Sequence, residues 1–213
     1  MADAPTTLVI ETATAACSVA LLRGGRGVAA AHEVVGRGHA ERLLPMIAAL
    51  PGGGRADAIR VDVGPGSFTG VRVGLAAARG LAIGWGVPVH GYSSLALVAA
   101  AAFAADTARD ALAVVLEGGH GEVFVQPFAR PLVALAPLAS LAPAAALAML
   151  DGRPAIGSGV RHLVALDPAL AAVEALPRAA DAILLSGDAT QLAPDPVYGR
   201  APDARTLAER GLA

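Results

Sequence analysis

The sequence predicts an α/β protein of two lobes, the second smaller and degenerate. Three observations carry this. In the first half, short β-branched runs alternate with alanine- and leucine-rich helical stretches, in the order three strands, helix, strand, helix, strand, helix. A Thr-Ala-Arg-Asp link (Thr107–Asp110) then interrupts the order. Beyond it, "ALAVVLEGGHGEVFVQPF" reads as a hairpin turning at Gly118–Gly121, and proline-broken apolar stretches follow. The boundary drawn this way separates residues 1–106 from residues 107–213.

Taken in order, "TLVIET" (Thr7–Thr12) is a β-rich run, and "CSVALLRG" and "GVAAAHEVV" form an antiparallel pair about the turn Gly24–Arg26. "HAERLLPMIAAL" (His39–Leu50) places Leu43, Leu44, Ile47 and Leu50 at helical spacing. "AIRVDVG" is the fourth strand, and Val61–Gly86 supplies a tight turn and the second helix. "VPVHGYS" (Val87–Ser93) is the fifth strand, and Ser94–Ala105 the third helix. This order is that of a ribonuclease-H-like lobe of the actin-like (ASKHA) kind, an analogy that fixes fold and not function. In the second half a helix is expected over Arg161–Leu166. The tail "PDPVYGRAPDARTLAERGLA" is expected to start extended and end helical.

Composition narrows the chemistry. The net charge of −2 gives no general attraction to polyanions, so any tRNA contact needs a local basic patch or a partner. A single cysteine, Cys17, excludes a disulfide framework and a Cys-based zinc site. All 16 basic residues are arginine, which excludes a Walker-A lysine and a Schiff-base lysine. The N-terminus lacks a basic n-region, and the most apolar run, Leu95–Ala105, is too short to span a bilayer. A soluble cytoplasmic protein with no membrane contact is expected.

The stretch "VDVGPGSFTGVRVGLAAARGLAIGWG" raises two readings. Gly64, Gly66, Ser67, Thr69 and Gly70 place backbone N–H groups at a helix N-terminus, with Ser67 as N-cap, and so form a candidate phosphate loop. The other reading is a tight strand-to-helix turn that needs glycines for positive φ, and without lysine it moves ahead. Along the helix, Gly70, Gly74 and Ala78 lie four apart, as do Ala76, Gly80 and Gly84. Each interior glycine costs about 1 kcal/mol relative to alanine. Two such stripes imply close approach of other backbone, the protein's own sheet or a second subunit. Arg72 and Arg79 share an exposed edge.

Other constellations are sparse. His39 beside Glu41 reads as a capping or surface pair, because Leu43 stands where a second helical metal ligand would be. No serine sits in a nucleophile elbow. Glu11 and Asp62, at neighbouring strand ends, are the two acids that an actin-like cleft could use for Mg²⁺.

"LVIETATAACSVALL", "GHAERLLPMIAAL", "VGPGSFTGVRVGLAAARGLAIGWGVPVHGYSSLALVA", "GEVFVQPF" and "PDPVYGRAPD" occur in the order seen in the TsaB (YeaZ) family of bacterial tRNA threonylcarbamoyladenosine biosynthesis proteins, which the chain resembles. The resemblance covers about the first half closely, then the hairpin and the tail motif. It implies a two-lobed ASKHA fold and a non-catalytic subunit without cofactor. That subunit docks on and stabilises the threonylcarbamoyl transferase TsaD. The ATPase TsaE joins the complex, which is also what meets tRNA. In the family the first two helices form a bundle with the partner, and the same surface allows homodimers. Carried onto this chain, the implied contacts are His39, Leu43, Leu44, Ile47, Val71, Gly74, Leu75 and Ala78. The metal motif of TsaD-like chains is replaced by Tyr92-Ser93-Ser94-Leu95, and the usual Asp-Thr-Ser of the first strand by Glu11-Thr12-Ala13. An actin-like ATPase or phosphotransferase using the glycine-rich turn is the alternative.

Overall fold

The computed structural model describes residues 4–199. Its first sheet is five-stranded, in the order β3-β2-β1-β4-β5. The strands are β1 (Thr6–Glu11), β2 (Ala16–Arg23), β3 (Arg26–Val34), β4 (Ala58–Asp62) and β5 (Val89–Tyr92). The first three run antiparallel, and β4 and β5 join β1 in parallel, each reached through a helix. Those helices are α1 (His39–Ala48) and α2 (Phe68–Trp85). Strand alternation sorts the core. Leu8 and Ile10 of β1 face the cluster shared with α1 and α2, while Val9 faces the opposite cluster with Tyr92 and Leu97.

α3 (Ser94–Ala105) lies between this sheet and the next. Its Leu97 and Ala100 pack toward the first sheet, and Leu95, Val98, Ala99 and Phe103 toward the second. An all-apolar helix has no polar face to show, and it is buried on both sides accordingly. The second sheet runs β11-β10-β6-β7-β8, with β9 also on β7. Its main hairpin is β6 (Ala111–Glu117) and β7 (Val123–Ala129). The shorter strands are β8 (Val133–Ala134), β9 (Ala139–Leu141), β10 (Ala155–Ile156) and β11 (Ala172–Val173). α4 (Pro143–Leu150) and α5 (Val160–Val164) cover the outer face. The architecture is thus helix, sheet, helix, sheet, helix, as the sequence order predicts for two actin-like lobes.

Residues 179–199 depart from the expected boundary between residues 106 and 107. Ala179, Ala182 and Leu185 pack on the first sheet with Val9, Ala20 and Leu22. The backbone of Leu192 then pairs with Gly91 on the free edge of β5, and the Val197 N–H donates to Val63 O at 2.8 Å. This strap is held by α2: Arg79 donates to Pro194 O and to Asp195, both at 2.7 Å, and Arg72 donates to the Tyr198 hydroxyl at 2.6 Å. The shared edge expected of Arg72 and Arg79 is therefore real, and its occupant is the chain's own tail, which bends at Pro194 and Asp195. The helical end expected of the tail lies outside the described residues.

Candidate docking helices and an interlobe cleft

The glycine-rich turn is built around the end of the first strand. Ser67 caps α2 by accepting from the Gly70 N–H at 3.2 Å, as expected. The Ser67 N–H donates to Ala13 O at 2.7 Å. A Cβ at Gly66 would fall closer than 3.0 Å to Ala13 O, one at Gly70 closer than that to Thr12 O, and one at Gly74 closer than that to Thr12 Oγ1. Gly66, Gly70 and Gly74 are thus small because the Thr12–Ala13 turn lies directly on them. The Ser67 and Gly70 N–H groups are used within the turn, by Ala13 O and the Ser67 hydroxyl, and Gly64 takes a φ of 89°, while Ser67, Phe68 and Thr69 stay exposed at the start of α2. The tight-turn reading is the one this geometry supports.

The two acids are sealed beneath that turn. Glu11 and Asp62 are both 0 % exposed. Asp62 accepts from the Thr12 N–H at 2.8 Å and from its hydroxyl at 3.1 Å. Glu11 accepts from the Ala13 N–H at 3.0 Å and from the Ser94 hydroxyl at 3.0–3.1 Å. The Tyr92 hydroxyl donates to Ile10 O at 2.8 Å. Burial pushes the Glu11 carboxyl well up, with the Asp62 charge adding to it, and burial raises the Asp62 carboxyl to about 7. The two strand-end acids form a buried clamp that pins the β1–β2 turn.

The raised Asp62 pKa gives a stability prediction. An acid whose folded pKa lies above its unfolded value of 3.8 favours the folded state below that value, and the contribution is lost as pH rises through about 7. Between pH 4 and 7 the wild type should therefore lose stability relative to Asp62→Asn, by a few kcal/mol. Urea unfolding of both chains across that range measures it.

The implied partner contacts need correction. Leu43, Ile47, Val71, Leu75 and Ala78 are between 0 and 5 % exposed, and they form the cluster between helices and sheet. Gly74 lies against Thr12. His39 is 4 % exposed, its Nε2 donating to Ala16 O at 3.1 Å, so it is a core histidine and not a surface pair with Glu41. Of the eight implied contacts only Leu44 is exposed, at 52 %. The face of α2 that does reach solvent is the other stripe: Ala76, Gly80 and Gly84, with Ile83 at 85 % exposure. Gly80 and Gly84 have open space where a side chain would stand. Nothing among the described residues requires either to be glycine.

A cleft of about 820 Å³ opens between the lobes. One wall carries Ala13, Arg37, Phe68 and Arg72, the other Glu117–His120, Phe124 and Ser158, and the tail residues 196–199 close one side. Among the described residues no cluster of three or more His, Cys, Asp or Glu is placed to hold a metal ion, and no helix is long and apolar enough to cross a membrane.

Fold and site together define a two-lobed actin-like α/β protein with a tight glycine turn packed on the first strand's end and a small-residue helix face that no described residue covers. A family model described as "TsaD: tRNA N6-adenosine threonylcarbamoyltransferase" matches residues 26–131. The chain is 40% identical over 133 residues to the tRNA threonylcarbamoyladenosine biosynthesis protein TsaB of Haemophilus influenzae, covering 60% of this chain and 56% of that one. It is 41% identical over 128 residues to the Escherichia coli TsaB, covering 58% and 54%. The match thus spans about half the length of these curated relatives. The solved structure of YeaZ from Pseudomonas aeruginosa superposes with a TM-score of 0.77 at 31% identity, over 91% of this chain and 99% of that one. The chain belongs to the TsaB (YeaZ) family.

Proposed function

We propose that this chain is a non-catalytic subunit in the formation of N6-threonylcarbamoyladenosine in tRNA. It docks on and stabilises a TsaD-like threonylcarbamoyl transferase, a TsaE-like ATPase joins the pair, and tRNA is met through the complex. The role asks for no cofactor in this subunit. The observation that carries the reading is the outer stripe of α2. Two interior glycines there lower helix stability by about 1 kcal/mol each and serve no contact among the described residues. A second helix lying against Ala76, Gly80 and Gly84, with Ile83 and Leu44 as apolar anchors, would supply that contact. The family resemblance implies pairing through these same two helices, and in the absence of the partner the same face would serve a homodimer.

Membership of the TsaB family and the lysine-free glycine turn both favour a docking role over catalysis. Expression of this chain with a cognate TsaD in a strain depleted of its own TsaB tests the reading. Restored threonylcarbamoyladenosine, measured by mass spectrometry of tRNA nucleosides, is expected. Its continued absence with both proteins present would refute the reading.

A further inference from the structure

The interlobe cleft has a charge balance that the docking role does not use. Arg37, in the exposed loop between β3 and α1, lines the cleft and makes no hydrogen bond or ion pair among the described residues. Arg72 bonds only neutral oxygens, Phe68 O at 2.8 Å and the Tyr198 hydroxyl at 2.6 Å. The acids across the cleft are engaged: Glu117 is ion-paired with Arg161, and Glu122 accepts from the Ser140 hydroxyl at 2.6 Å. Among the described residues the first-lobe wall therefore holds two cations without a carboxylate, inside a concave surface that concentrates their potential.

The same wall is aromatic. The Arg72 guanidinium lies 3.3 Å over the Phe68 ring and 5.3 Å from the centre of the Tyr198 ring, and Phe124 lines the opposite wall. Rings beside a guanidinium favour a flat apolar body with a negative end. The cleft volume, about 820 Å³, suits a molecule of several rings. Of the amides in the glycine turn, the Ser67 N–H is bound to Ala13 O and the Gly70 N–H to Ser67 Oγ. The side-chain charge offered to an anion on this wall is that of the two guanidinium groups.

We propose that the interlobe cleft binds a small organic anion carried on a planar apolar body, of the aromatic carboxylate or sulfonate class. Arg37 and Arg72 take its charge, and Phe68, Phe124 and Tyr198 its rings. Fluorescence titration of the full chain with 8-anilinonaphthalene-1-sulfonate tests this, with the uncharged N-phenyl-1-naphthylamine as the matched neutral probe. The sulfonate is expected to bind at one site and more tightly than the neutral probe. Arg37→Gln should weaken sulfonate binding about tenfold while leaving the neutral probe unchanged. Arg72→Gln, its fold checked by thermal melting, should weaken it at least as much. Ile83→Asp, on the exposed apolar face of α2 away from the cleft, should leave the sulfonate affinity as it was. Unchanged sulfonate affinity in Arg37→Gln, or equal affinity for the neutral probe, overturns the proposal. So does loss of binding in Ile83→Asp in place of Arg37→Gln.

Discussion

Gly80→Leu should abolish capture of a TsaD-like partner while raising the chain's own melting temperature. The two effects have opposite signs because they arise on different surfaces. Within the chain, Gly80 is an exposed interior helix position with nothing within 4 Å of its Cβ site. Replacing glycine with leucine there removes an excess of backbone entropy and stabilises the helix by about 0.8 kcal/mol. Across an interface, the same leucine would stand where a partner backbone must come close, and overpacking of this kind costs roughly 1–3 kcal/mol or more. Ile83→Asp should act on pairing in the same direction by placing a charge at the centre of the apolar face. Thermal melting and co-purification, done on the same preparations, separate the two effects.

Gly70→Ala should give the opposite result from Gly80→Ala. At Gly70 a single methyl would sit on the Thr12 carbonyl, a backbone atom fixed by the sheet, so β1 or α2 must move to admit it. Destabilisation of about 3 kcal/mol is expected, at the severe end of single substitutions. Gly80→Ala on the same helix should stabilise by about 1 kcal/mol. Denaturant midpoints of the two variants against wild type check the pair. Equal and small shifts would mean that the two stripes are not inner and outer faces as described.

The first lobe was legible because its signals are local. Strand runs, the helical spacing of α1, and the Ser67 cap each depend on residues within a few positions of one another. Helical period likewise reveals two small-residue stripes on α2. Periodicity cannot say which stripe faces the sheet, since glycine and alanine occur on both. The decision is made by Thr12 and Ala13, more than fifty residues earlier in the chain, whose carbonyls lie on Gly70 and Gly66. That is why the sequence leaves Val71, Gly74, Leu75 and Ala78 open as contacts for a partner, whereas the fold buries them against the sheet and the Thr12 turn.

The strap was hidden for a related reason. Arg79 and Asp195 are 116 positions apart, as are no elements that a local pattern could link. The burial of Glu11 and Asp62 was equally invisible, because acids at strand ends read as ligands until the turn above them is seen to be closed. In the second lobe the β6–β7 hairpin stood out by its glycine turn. The strands β8–β11, each of two or three residues, are too short to carry a period.

Pairing through the outer stripe of α2 is the central claim, and light scattering of this chain mixed with its cognate TsaD-like subunit tests it most directly. The account predicts a single species with the summed mass of the two chains for the wild type, and separate species for Gly80→Leu. Separate species for the wild type, or an undiminished complex with Gly80→Leu, would contradict it.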